Sequence, residues 1–132
     1  MPFVQVHTSS DPSPGVRRAL GFALANAYGE HMQTSSRIVN VGFVHYGEDE
    51  LVRYDAANGE PQAMTIVTCE VRTGRSPEML EALGRAITEL CSRELGVPAA
   101  RIAVYLSEHV PAEIYRDGGR APDWSSSERK TT

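Results

Sequence analysis

The sequence predicts an α/β (α+β) domain of two tandem β-α-β units, forming a four-stranded mixed sheet with two helices on one face. Three observations predict it. The run Ser13-Pro14-Gly15-Val16-Arg17-Arg18-Ala19-Leu20-Gly21-Phe22-Ala23-Leu24 returns as Ser76-Pro77-Glu78-Met79-Leu80-Glu81-Ala82-Leu83-Gly84-Arg85-Ala86-Ile87. Ser, Pro, Ala, Leu, Gly and Ala match identically. Val/Met and Leu/Ile match in kind. Each copy lies between two runs rich in β-branched and other apolar residues. Parallel strands joined by a helix cross over right-handedly, so two units side by side place both helices on the same face.

The elements follow in order. Phe3, Val4 and Val6 open a strand that ends near His7-Thr8. Ser13 is a helix N-cap and Pro14 suits the first helical position. Val16, Leu20, Ala23, Leu24, Ala27 and Tyr28 then share one helical face, and the helix is expected to end near Gly29–Met32. Arg37 to Tyr46 reads as the second strand. Residues 47–62 are the least regular; Leu51-Val52-Arg53-Tyr54 and the turn signal Asn58-Gly59 suggest a small hairpin joining the units. Met64 to Val71 is the third strand. Ser76-Pro77 starts the second helix, with Met79, Leu80, Leu83, Ala86, Ile87, Leu90, Cys91 and Leu95 as its stripe. Gly96 stops it, with Pro98 just beyond. Ile102 to Leu106 is the fourth strand, and Pro111 to Arg120 a short helical turn plus loop. The expected organisation is a single domain over 1–122, with repeats at about 2–46 and 64–106, and a flexible tail over 123–132.

The chain has 132 residues and a net charge of −4. That length is enough for one domain with a buried core. The charge speaks against general nucleic-acid binding, which needs a basic face. Lys130 is the single lysine, so nearly all positive charge is arginine, the residue suited to bidentate recognition of carboxylates and phosphates. Cys69 falls on a strand and Cys91 on a helix; buried reduced thiols are the reading, with a disulfide the alternative. No apolar run approaches a membrane span. No signal peptide is evident, so a cytoplasmic protein is expected. A sheet with open edges and one uncovered face favours oligomers.

Two groups of residues stand out chemically. Pro2 follows Met1, and removal of Met1 leaves a free secondary amine at the start of a strand. A free α-amino group titrates at roughly 7.7–8.0, close to working pH, and moves protons without a cofactor. The plain alternative is a proline with no role. Arg72 and Arg75 lie in Val71-Arg72-Thr73-Gly74-Arg75-Ser76, between the third strand and its helix. Ligands gather at such strand ends, and the helix N-terminus beside them favours an anion. The first repeat has no arginines at the matching loop, around Ser9 and Pro12. The plain alternative is a pair of solvated surface arginines.

With these residues in view, the chain resembles the tautomerase superfamily, and within it the cis-3-chloroacrylic acid dehalogenase group. The likeness runs from Pro2 to about Arg120 and is strongest from Thr65 onward. It implies the tautomerase fold, a homotrimer, no cofactor and a small carboxylate-bearing substrate. It implies Pro2 as proton donor or acceptor and Arg72 and Arg75 as carboxylate ligands. It also implies Tyr105, in Ile102-Ala103-Val104-Tyr105, as a residue that positions or activates water. The family's acid follows a Pro-Ala turn; aligning Pro111-Ala112 puts Asp117 in its place, shorter than the family Glu by one methylene. The family also uses a histidine near the end of the first helix. With a one-residue gap Tyr28 stands there, Gly29 being the alternative, and His31 lies one turn on.

The remaining histidines, His7, His45 and His109, are scattered and show no metal-ligand spacing. Glu48, Asp49 and Glu50 read as a solvated loop, and Trp124 as a tail anchor or pocket cap. The favoured function is proton transfer by Pro2 on a small 2-oxo, enol or unsaturated carboxylic acid. If Pro2 is protonated, hydration or dehalogenation directed by Asp117 and Tyr105 comes within reach. A biosynthetic proton transfer on a larger substrate, and a non-catalytic ligand-binding or interaction protein of the same fold, are the competing readings.

Overall fold

The two Ser-Pro signals begin two helices of nearly equal length. In the computed structural model, which describes residues 2–54, 57 and 59–131, α1 runs Pro14–His31 and α2 runs Pro77–Leu95. The Ser13 hydroxyl accepts from the Val16 N–H and that of Ser76 from the Met79 N–H. Caps of this kind contribute about 1 kcal/mol each. Gly96 ends α2 in the left-handed region at φ 68°.

Four strands form the sheet: β1 Phe3–Thr8, β2 Asn40–His45, β5 Thr65–Arg72 and β6 Ile102–His109. Their order is β2-β1-β5-β6. β1 and β2 are parallel, as are β5 and β6, and the two units meet antiparallel along β1 and β5. Phe3 pairs with Asn40 and Thr65 with Ile102, the same chain separation in both units. The repeat is thus a structural one. The expected small hairpin is the antiparallel pair of β3, Val52–Arg53, and β4, Gln62–Ala63; Asp55, Ala56 and the Asn58 of the turn signal lie outside the described residues, as does Met1.

Alternation along β1 and β5 buries Val4, Val6, Val67, Cys69 and Val71 on one face. Leu20, Leu24 and Tyr28 of α1 and Leu83, Ile87 and Cys91 of α2 close over them. Each fully buried aliphatic side chain contributes about 1.5–3 kcal/mol. Both cysteines are free and buried, and burial pushes each thiol up to about 12. They are core residues rather than a disulfide. The opposite face of the sheet carries no helix; Phe3 and Tyr105 are exposed there.

Three boundaries differ from the sequence reading. β2 begins at Asn40 rather than Arg37, because Ser36–Ile38 is a 3-10 turn whose Arg37 N–H is capped by the Ser35 hydroxyl. β6 continues three residues past Leu106, to His109. Pro111 to Arg120 is a 3-10 turn, Pro111–Glu113, followed by a hairpin of β7, Tyr115–Arg116, and β8, Gly119–Arg120. Its two-residue turn is Asp117-Gly118, with φ 52° and 80°. This is the Asp-Gly pairing that a tight hairpin demands, since both residues must take positive φ.

Candidate active site at the ends of the central strands

Pro2 stands immediately before β1 and is buried. Its carbonyl accepts from the Asn40 N–H at 2.9 Å, which ties it to the start of β2. Because β1 runs antiparallel to β5, this start lies beside the end of β5, with Phe3 opposite Glu70. Because β6 runs parallel to β5, it delivers its last residue to the same place: His109 pairs with Arg72, and the Thr73 N–H donates to the His109 carbonyl. Topology therefore gathers residues from three strands at one corner of the sheet.

A groove of about 420 Å³ opens at this corner. Pro2, Phe3, Tyr28, Glu70 and Arg72 line it from the sheet and α1, and His109, Glu113, Ile114 and Tyr115 from the chain after β6. Tyr28 donates its hydroxyl to the Glu70 carbonyl at 3.3 Å. Burial, with a smaller contribution from Cys69, pushes its phenol above the usual range, so it stays protonated and serves as a donor. His109 Nε2 hydrogen-bonds the Glu70 carboxylate, and its Nδ1 lies 3.8 Å from Glu113 Oε2.

The two arginines are placed differently. Arg72 lines the groove and is 5% exposed; it donates to the Pro122 carbonyl at 2.8 Å and to the Glu128 carboxylate at 2.5 Å. Arg75 does not line the groove. Its Nε and Nη2 donate to the Met32 carbonyl at the end of α1, and its Nη1 to the Arg72 carbonyl at 3.0 Å. Burial draws it down to about 10, leaving it charged at neutral pH. Arg75 thus braces the backbone that carries Arg72.

The chain after Pro122, expected to fray, lies over these arginines. The Trp124 indole stacks on the Arg75 guanidinium at 4.5 Å and donates Nε1–H to the Gln33 carbonyl. Gly74 makes room for it: a Cβ there would come within 3.2 Å of the indole, at a φ of 119°. Glu128 accepts from Arg72 and from Thr34. Burial works to raise this carboxyl, but those two hydrogen bonds and the charge of Arg72 outweigh it and hold it below the usual carboxylate range.

The structure brings Pro2, Tyr28 and Arg72 together. It does not bring Tyr105 or Asp117 to the groove within one chain. Tyr105 faces the open sheet surface on the edge strand, 59% exposed, and Asp117 occupies the hairpin turn. The acid directly after Pro111-Ala112 is Glu113, and it does line the groove. At Gly29 a side chain has no space, since a Cβ would meet the backbone of Thr34 and Ser36 at 3.0–3.2 Å. His31 is the last residue of α1 and is not among the lining residues. Sequence reasoning missed Glu70, Glu113 and His109. The signal for His109 was continued alternation beyond Leu106.

This set places a guanidinium, a protonated phenol, an imidazole and two carboxylates around one small cavity, with Pro2 at its edge. Among the described residues no cluster of His, Cys, Asp or Glu has metal-ligand geometry. No helix is long and apolar enough to cross a membrane.

The paired crossovers and the strand order define the fold of the tautomerase superfamily. Residues 66–121 match the family model described as Tautomerase enzyme. Solved structures of the superfamily superpose over nearly the whole chain. A fused 4-OT wild-type symmetric trimer is 22% identical, with TM-score 0.79, covering 90% of this chain and 94% of that one. N1, a member of the cis-3-chloroacrylic acid dehalogenase family, is 17% identical with TM-score 0.78, covering 98% and 96%. FG41 malonate semialdehyde decarboxylase, inhibited by 3-bromopropiolate, is 21% identical with TM-score 0.71, covering 98% and 95%. No curated protein matches the sequence.

Proposed function

We propose that this chain is a cofactor-independent enzyme that uses the Pro2 amine to move a proton on a small 2-oxo, enol or unsaturated carboxylic acid. The observation that carries the reading is that Pro2 and Arg72 line the same groove. Removal of Met1 frees the secondary amine of Pro2, which is buried beside the groove and carries the proton exchanged at carbon. Arg72 is the ligand for the substrate carboxylate, with Arg75 holding it in place. Tyr28 supplies a neutral donor to an oxygen that gains charge in the transition state.

The groove lies at a corner of the sheet, and among the described residues β2 and β6 are edge strands with no further strand partner. A homotrimer, as in the fused 4-OT structure, completes it. The location we propose is the cytoplasm. Glu113 favours a second activity, addition of water to an unsaturated acid, because a carboxylate in the groove is the group that draws a proton from water.

The test is ketonisation of phenylenolpyruvate by the purified protein and its Pro2→Ala variant. Turnover by the wild type and its loss in the variant support the reading. Equal turnover by both, or none by the wild type, overturns it.

A further inference from the structure

We propose that His109, held by Glu70, is a second proton carrier in the groove, working on the substrate oxygen while Pro2 works on carbon. The inference rests on the proton-transfer reading above and extends it to a residue outside the resemblance.

Position is the first argument. β6 ends on His109, in register with Arg72, so the imidazole stands beside the proposed carboxylate ligand. His109 and Pro2 line one groove. A proton donor at carbon and an acceptor at oxygen both need to reach one small substrate, and only strand ends that converge provide this.

Orientation is the second. A carboxylate only accepts, so the hydrogen bond to Glu70 places a proton on Nε2 of the neutral ring. Nδ1 then carries the lone pair. At 3.8 Å from Glu113 it is beyond hydrogen-bond distance, so that lone pair is available to a substrate hydroxyl. His7 is the contrast. Both its ring nitrogens are engaged, Nδ1 by Tyr46 at 2.8 Å and Nε2 by Gln5 at 3.0 Å, as in a structural histidine.

Stability gives no competing reason for the pair. The His109 and Glu70 side chains are 38% and 41% exposed, and ion pairs at that exposure contribute little to folding. The titratable and charged side chains that line the groove with His109 are Glu70 and Arg72 from β5, Glu113 from the 3-10 turn, Tyr115 from β7 and Tyr28 from α1, with Pro2 at the start of β1.

For ketonisation of an enol the step balances as follows. The enol O–H bond breaks and its proton passes to Nδ1. The oxygen pair forms the C=O bond, and the former C=C pair takes a proton from the Pro2 ammonium. His109 then releases a proton to solvent, and Pro2 takes one up.

The test is the pH profile of phenylenolpyruvate ketonisation for the wild type, His109→Gln, Glu70→Gln and Pro2→Ala, with circular dichroism to verify folding. His109→Gln is expected to lower kcat ~100-fold or more, the scale of general acid-base catalysis, with KM within about threefold. One limb of the kcat profile disappears with it. Glu70→Gln gives an intermediate loss in kcat with KM kept. Imidazole added to His109→Ala restores part of the rate. A folded His109→Gln variant that keeps kcat and both limbs, while Pro2→Ala is inactive, overturns the relay alone. A wild type with no ketonisation overturns the proton-transfer reading and the relay with it.

Discussion

The two β-α-β units share a scaffold and differ at their ends. In both, a serine caps a helix that starts with proline, and the parallel pairing spans the same chain separation. After β1 the chain passes through Ser9 and Pro12; after β5 it passes through Arg72 and Arg75. β2 ends at His45 and leads into the joining hairpin. β6 ends at His109 and leads into Glu113 and the Asp117 turn. The first unit contributes the proline and α1; the second contributes nearly every charged group of the groove. Packing demands explain the shared part. What the second copy adds lies at strand ends and loops, where side chains are not committed to the core.

Four expectations sharpen that contrast. The largest concerns the proposed proton carrier of the first unit: Pro2→Ala is expected to lower kcat for phenylenolpyruvate by ~10²–10⁴-fold, the range for removal of a proton-transfer group. Next, Leu20→Ala and Leu83→Ala occupy matching places in the two helices and are both fully buried. Each is expected to cost about 2–5 kcal/mol in urea unfolding, with similar values for the two. A much smaller cost in one unit breaks the equivalence of the scaffold.

Arg72→Ala then separates the second unit from the first. It removes the charge-assisted contact to a carboxylate, worth about 1.5–3 kcal/mol, and is expected to raise KM roughly tenfold to a hundredfold. Arg17→Ala, in the first unit, leaves KM within about twofold, as surface changes do.

The smallest effect concerns the docked tail. Glu128→Gln weakens its hold on Arg72 and is expected to lower KM for the carboxylate probe by a few fold, on the scale of one partly exposed ion pair. Trp124 is the only tryptophan, so its fluorescence reads the same event. The Glu128 carboxyl is depressed in the folded chain. Its contribution is therefore present above the ordinary glutamate value, about 4.3, and is lost as pH falls through the lower folded value. A red shift in Trp124 emission is expected in that acid window, and it is expected to be absent in Glu128→Gln.

The repeat, the helix caps and the buried stripes were legible because each is a local pattern with a local cause. Pro2 and Arg72 stood out through the resemblance and their strand-end positions, and the two line one groove. The division between Arg72 and Arg75 was not legible, because it depends on the Met32 carbonyl at the end of the other helix. Asp117 stands away from the groove of its own chain for a related reason. Turn geometry claims it, and Asp-Gly with two positive φ values fits a hairpin better than a catalytic loop. Glu128 escaped because a short polar segment looks like a frayed end until its partners, Thr34 and Arg72, are known.

The central claim is a free, reactive amine at Pro2 beside a carboxylate ligand. The most direct measurement is the intact mass of the purified protein before and after 3-bromopropiolate, with the adduct mapped. A chain without Met1, labelled once on Pro2 and labelled far more slowly in Arg72→Ala, is the expected result. A chain that keeps Met1, or loses it and stays unlabelled, contradicts the account.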